Sequence, residues 1–261
     1  MAVFTELHDE DRDAIAAAYE MHSLSSVIGI ADGDTETTYL FRTGQGEFIV
    51  TLFENGAEPL DLERAFKTME LLQDRGVPCP RPVRTIEGQA TFKAAGRLVA
   101  VVSFVSGSST GDPTAAKCES LGRVMAQIHT VLRRGLHGRP DILPTGAVHG
   151  ALVPSNVFFV GDMVSGVINF RLRHDDALVS EIAEALVDWT IRANGELDRT
   201  KARSMLKGYQ SVRALTGAER AALPGFVMAS AARRYANRAE KACLPTIAML
   251  TFSSVTPDIL D

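Results

Sequence analysis

The chain has 261 residues, 46% of them hydrophobic and 23% charged, ordinary globular values that exclude an intrinsically disordered chain. That length buries a core unaided and fits one large domain or one domain split into two lobes. The formal net charge of −5 lacks the positive excess that general nucleic-acid binding needs, and no apolar run approaches the ~20 residues of a bilayer-spanning helix, so neither nucleic acid nor membrane is an expected partner.

The opening Met1-Ala2-Val3-Phe4-Thr5 carries no basic segment followed by an apolar stretch, so no secretory signal is expected and the expected compartment is the cytoplasm. A short helix is predicted over residues 10–20. Four stretches rich in β-branched and aromatic residues follow, at 26–30, 37–42, 48–53 and 98–105, punctuated by Gly33, Gly44 and Gly46, and they read as a small antiparallel sheet. Between them, Leu62, Ala65, Phe66, Met69 and Leu72 recur at helical spacing, predicting a helix over 61–75 that Gly76 ends and Pro78, Pro80 and Pro82 keep from continuing. Ser106-Gly107-Ser108-Ser109-Thr110-Gly111 marks a change of character. The expected organisation is an N-lobe over 1–105, a linker over 106–112 and a mainly helical C-lobe over 113–261. In the latter, helices are predicted over 113–129, 176–193, 200–214 and 218–241, with two short strands, 156–160 and 164–168, about a Gly161-Asp162 turn. Arg133-Arg134 and Arg233-Arg234 read as solvated helix faces. Cys79, Cys118 and Cys243 have no ligand-like spacing, which argues against a disulfide framework or a zinc site.

One stretch discriminates among the many α+β folds this pattern allows. His149-Gly150-Ala151-Leu152-Val153-Pro154-Ser155-Asn156, followed by Ile168-Asn169-Phe170, resembles the H-x-D-x-x-x-x-N catalytic loop and the later I-D-F segment of aminoglycoside phosphotransferase-like kinases. Gly29-Ile30-Ala31-Asp32-Gly33, Phe48-Ile49-Val50-Thr51-Leu52-Phe53-Glu54, Arg75-Gly76-Val77-Pro78-Cys79-Pro80-Arg81-Pro82 and Gly208-Tyr209-Gln210 look like the homoserine kinase branch of that superfamily. The resemblance implies an α+β, two-lobed protein-kinase-like fold, a transferase ancestry and an ATP/Mg2+ cofactor pair.

It also shows what is missing. Phosphoryl transfer to a hydroxyl needs a carboxylate that orients the nucleophile and accepts its proton, and metal held beside the phosphates. Ala151 stands where the resemblance places the first aspartate, and its methyl can do neither task. Asn169 stands at the second, with a neutral amide in place of a charge. Asn156 and Asn169 are the candidate metal positions, and His149 and Asn156 are remnants of the loop, equally suited to a structural role through its internal hydrogen bonds. Asp175, Asp176 and Glu181 are the acids nearest in sequence that could substitute, although Asp176 also suits a helix N-terminus. On the nucleotide side, Gly29 and Gly33 resemble a phosphate-covering loop and also suit a plain hairpin turn. Thr51 takes the place of the usual strand lysine, as it often does in this branch. Ser103, Phe104 and Val105 would offer backbone groups to an adenine, or simply end a strand.

The family also has an acceptor-side helical insertion of several dozen residues before the catalytic loop. Here only residues 130–148 lie in that interval, with Gly135, Gly138, Pro140 and Pro144 among them, and the chain stops soon after Pro257. The expected function is therefore that of a pseudokinase: a binding or regulatory module with ATP/Mg2+ affinity weakened or lost. It would meet a small molecule or a protein, a second copy included, through the shortened acceptor side. The alternative is a repurposed or residual phosphotransferase, or another enzyme acting on an amino-acid-like or phosphorylated ligand in the same cleft.

Overall fold

A computed structural model describes residues 5–30, 36–134, 142–170, 175–192 and 195–236. The chain divides into two compact units, the first ending at Val105 and the second beginning at Ser106.

The first unit is a six-stranded antiparallel sheet with two helices. Helix α1 (Asp9–Ala18) precedes β1 (Ser26–Ile30), β2 (Glu36–Thr43) and β3 (Gly46–Phe53); helix α2 (Pro59–Asp74) then leads to β4 (Pro82–Val83), β5 (Thr91–Ala94) and β6 (Arg97–Ser103). The order is β1-β2-β3-β6-β4, with β5 also paired to β6. Strand side chains alternate faces, so Tyr39 and Phe41 of β2 and Val50 and Leu52 of β3 point to one side, where they join Val99 and Val101 of β6 and Ile15 and Tyr19 around α1. Burying each such side chain contributes ~1.5–3 kcal/mol. The Tyr19 hydroxyl donates to the Val99 carbonyl at 3.0 Å, so its one polar atom is paired inside that core.

Helix α2 buries Phe66, Met69 and Leu72, and its exposed side is fastened to the sheet by Arg84. That guanidinium grips both Glu63 (3.0 and 3.1 Å) and Glu70 (2.7 and 3.0 Å), a double fork whose charge-assisted bonds hold the Glu63 carboxyl below its ordinary range.

The second unit opens with α3 (Ala115–Leu132), capped by the Thr114 hydroxyl at 3.1 Å from the Lys117 amide. Strand β7 (Arg133–Arg134) and β8 (Thr145–Ala147) follow, then a 3-10 turn (Pro154–Asn156), the hairpin β9 (Val157–Val160) and β10 (Met163–Val167), and β11 (Asp175–Ala177). Helices α4 (Leu178–Thr190), α5 (Arg199–Gln210) and α6 (Gly217–Ala236) complete it. Strand β8 pairs with both β7 and β11.

Helices α3 and α5 cross very closely. A methyl on Gly122 would run into the Met205 carbonyl, and one on Gly208 into the Glu119 carbonyl, so only glycine permits this approach. The crossing brings His129 of α3 against Tyr209 of α5.

Several sequence expectations need correction. The strand expected over 98–105 ends at Ser103, and Pro113 lies before the α3 cap rather than inside the helix. The helix expected over 176–193 starts at Leu178, because Asp175–Ala177 is drawn into pairing with β8. Asp176 therefore does not occupy the N-cap, which is Ala177; its carboxylate accepts from the Ala177 amide and the Ser180 hydroxyl. The helix expected over 200–214 stops at Gln210 and is capped by Asp198. Arg133-Arg134 is a short strand, not a helix face, since the chain leaves α3 to pair with β8. Arg233 and Arg234 do lie on α6, Arg233 on its exposed face, and they pair with Glu184 and Asp188 of α4. Gly33, Gly135, Gly138, Pro140, Cys243 and Pro257 fall outside the described residues.

Candidate functional site: a hydrogen-bonded loop around Ala151

Residues 149–156 form a loop whose groups are bonded to one another. His149 is fully buried; its Nε2 lies 3.0 Å from the Ile168 carbonyl and its Nδ1 accepts from the Ala151 amide at 3.1 Å. A carbonyl can only accept, so the proton sits on Nε2 and the imidazole is neutral in this arrangement. The ring also packs against Phe170, with centroids 4.4 Å apart. Asn156 donates its side-chain Nδ2 to the Ala151 carbonyl and its backbone carbonyl accepts from the Ile168 amide, both at 2.9 Å. From α4, the Trp189 indole N–H donates to the Leu152 carbonyl at 2.6 Å. Ala151 thus has both backbone groups engaged and presents only a methyl.

Below the loop lies Glu181, 2% exposed. One carboxylate oxygen accepts from the Gly150 amide at 2.6 Å; the other is 2.8 Å from His129 Nε2. Burial alone would raise this carboxyl, but the bonds from His129 and Gly150 outweigh it and hold the group below the usual carboxylate range. His129 Nδ1 meets the Tyr209 hydroxyl at 2.8 Å, Arg213 donates to that hydroxyl at 2.7 Å, and Arg213 in turn grips Glu219 at 2.9 and 3.0 Å. Arginine only donates, so the Tyr209 oxygen accepts from Arg213. This buried chain ties the loop to four helices. Sequence reasoning named Glu181 as a possible displaced acid and missed its partners, whose signal was a histidine set among apolar residues of α3, where an interior polar group requires a partner.

The substitute acids are all engaged. Asp175 pairs with Arg134 at 3.0 Å, Asp176 with Ser180 at 2.8 Å, and both Glu181 oxygens with the groups above. A cavity of about 310 Å³ adjoins the loop, lined by Gly150, Ala151, Leu152 and Val153 and, on α4 and α6, by the charged pairs Glu184–Arg233 and Asp188–Arg234.

Asn156 and Asn169 do meet, but as partners of each other: Asn169 Nδ2 donates to Asn156 Oδ1 at 2.9 Å. Mg2+ is held through one or two carboxylates and gives up its waters reluctantly. The two positions offer no carboxylate, and the Asn156 oxygen is already occupied. Among the described residues no group of three or more His, Cys, Asp or Glu could hold a metal ion. The residues present do not fit the cation that the resemblance implies.

In the first unit, Gly29 lies within β1 opposite Tyr39, a strand position and not a turn, and Thr51 lies in β3 between Thr38 and Ala100. Ser103 ends β6; its amide donates to the Arg81 carbonyl and its hydroxyl accepts from the Arg81 amide, both at 2.8 Å. The Phe104 amide donates to the Glu47 carbonyl at 2.9 Å, and Val105 follows, half-buried. Two of the backbone donors expected to face an adenine are therefore spent within this unit.

A family model described as phosphotransferase enzyme family matches residues 26–142. The homoserine kinase of Granulibacter bethesdensis is 34% identical over 275 aligned positions, covering 89% of this chain and 86% of the relative; that of Parvibaculum lavamentivorans is 33% identical with the same coverage. The aligned stretch is longer than this 261-residue chain, so the relatives carry residues within it that have no counterpart here. Among solved structures, an aminoglycoside phosphotransferase from Alicyclobacillus acidocaldarius superposes with a TM-score of 0.71 at 14% identity, covering 98% of each chain. Amicoumacin kinase, solved with AMP-PNP and Ca2+, gives 0.68 at 15%, covering 96% of this chain and 95% of its own. These likenesses establish the kinase-like fold, and the curated relatives place it more narrowly: the chain belongs to the homoserine kinase branch of the phosphotransferase enzyme family.

Proposed function

We propose that this chain is a homoserine kinase-like pseudokinase, a ligand-binding or regulatory module that no longer transfers a phosphoryl group. The observation that carries the reading is Ala151. Its amide and carbonyl are fixed by His149 and Asn156, so the loop is built, yet the side chain at the position of the nucleophile-orienting acid is a methyl. Losing a general base typically costs ~10²–10⁴-fold in rate. Among the described residues the acids nearest in sequence, Glu181, Asp175 and Asp176, are each committed to other partners, and the cavity acids Glu184 and Asp188 are paired with Arg233 and Arg234.

The cavity beside Ala151 supports retention of a binding role. Its mixed walls, apolar along the loop and charged along α4 and α6, suit a small polar molecule, amino-acid-like or phosphorylated. Positions absent from this chain but present in the relatives are consistent with a shortened acceptor side between α3 and the loop. The same cavity also favours a second reading, a repurposed enzyme acting on such a ligand.

Thermal unfolding in the presence of ATP, ADP, homoserine or phosphohomoserine separates the two. A ligand at 100 times its Kd stabilises by ~2.7 kcal/mol. A shift with nucleotide alone, unaccompanied by ADP release, fits the module; a shift with homoserine accompanied by its consumption establishes the enzyme.

A further inference from the structure

We infer that the Asn156–Asn169 amide pair takes the place of a divalent cation, closing the loop by a hydrogen bond in a metal-free chain. The inference deepens the reading above and rests on it for identifying position 169 as a former metal position.

The polarity of the pair is fixed by its neighbours. Asn156 Nδ2 lies 2.9 Å from the Ala151 carbonyl, which can only accept, so the oxygen of this amide is the atom that faces position 169. That oxygen takes its hydrogen from position 169, where the exposed Asn169 donates through Nδ2 at 2.9 Å. An aspartate there would set a carboxylate oxygen against Asn156 Oδ1 with no proton between them. Turning the Asn156 amide over would only move the conflict to the Ala151 carbonyl. Two facing oxygens are reconciled either by a cation or by a hydrogen, and this chain supplies the hydrogen.

The backbone agrees with the side chains. Asn169 has φ +64°, a left-handed conformation that asparagine tolerates better than most residues, and the preceding Ile168 amide donates to the Asn156 carbonyl at 2.9 Å. Asn156 is buried, so both ends of its amide need the partners they have.

The test is thermal unfolding of the wild-type chain and of Asn169→Asp, each in excess EDTA and in saturating MgCl2, together with calorimetric titration of MgCl2 into the wild type, all without nucleotide. The wild type is expected to melt at one temperature in both buffers and to give no saturable Mg2+ heat. Asn169→Asp is expected to melt about 4 °C or more lower in EDTA and to recover in MgCl2. A saturable Mg2+ heat or an Mg2+-raised melting temperature in the wild type overturns the inference, as does an Asn169→Asp variant as stable as wild type in EDTA or one that Mg2+ fails to rescue. If the variant does not fold in either buffer, the wild-type titration still decides. An Mg2+ response without phosphohomoserine formation overturns this inference alone, whereas turnover overturns the pseudokinase reading.

Discussion

At the scale of single residues, the loop is held from below by the buried carboxylate of Glu181. Glu181, 2% exposed, accepts from Gly150 and His129, and its carboxyl is held below the ordinary value of ~4.3. As pH falls, the unfolded chain protonates this group first. Its contribution is therefore complete above the ordinary carboxylate range and is lost as pH drops through the lower folded value. Glu181→Gln is expected to cost ~1–3 kcal/mol at neutral pH, because its amide nitrogen meets a donor where an oxygen accepted before. Its stability should also fall less steeply in acid than that of the wild type, which denaturant titrations from neutral pH to acid would read. Glu54 behaves in the same sense in the first unit. Against its burial, the Thr37 hydroxyl at 2.5 Å, the Thr5 amide and Arg97 at 2.9 Å bring its carboxyl down to about 2, so its contribution fades between the ordinary carboxylate range and that value. Thr37→Val should weaken that acid dependence.

At the scale of elements, the closest contact is the α3–α5 crossing, and it serves the site by bringing Tyr209 to His129. Gly208→Ala forces a methyl into the Glu119 carbonyl, and overpacking of this kind costs ~1–3 kcal/mol or more. Far-ultraviolet thermal melts should show the drop, and the chain should also lose the Tyr209–His129 bond as the helices part. This crossing was not legible in the sequence, where Gly122 and Gly208 are two glycines 86 positions apart within helical patterns. The long strands were legible, because the alternation of Thr37, Tyr39 and Phe41 and of Val50 and Leu52 is local. Strands β4, β8 and β11 were not: two or three residues carry no period, and their pairing is decided by partners distant in the chain. Helix starts moved for a related reason, since Thr114 and Asp198 fix them through side-chain bonds rather than through apolar spacing. In the loop, the identities of Ala151, Asn156 and Asn169 were readable, but not the fact that the two asparagines bond to each other.

At the scale of the whole molecule, the chain has a kinase-like fold, Ala151 and Asn169 stand in the loop on which the proposed function rests, and the relatives hold residues this chain lacks. On the proposed reading, in which the acceptor side is shortened, introducing both acids by Ala151→Asp with Asn169→Asp is expected not to give homoserine phosphorylation, because a nucleophile misplaced by even ~1 Å can cost ~10²-fold. Slow ADP release without phosphohomoserine is the most this variant should give, and the two products measured separately distinguish that outcome. The central claim is met most directly by following phosphohomoserine formation by the wild-type chain and by the Granulibacter bethesdensis homoserine kinase side by side, with ATP, Mg2+ and homoserine. The relative should form product, and this chain should form none above a protein-free control; phosphohomoserine formed by this chain clearly above that control would contradict the account.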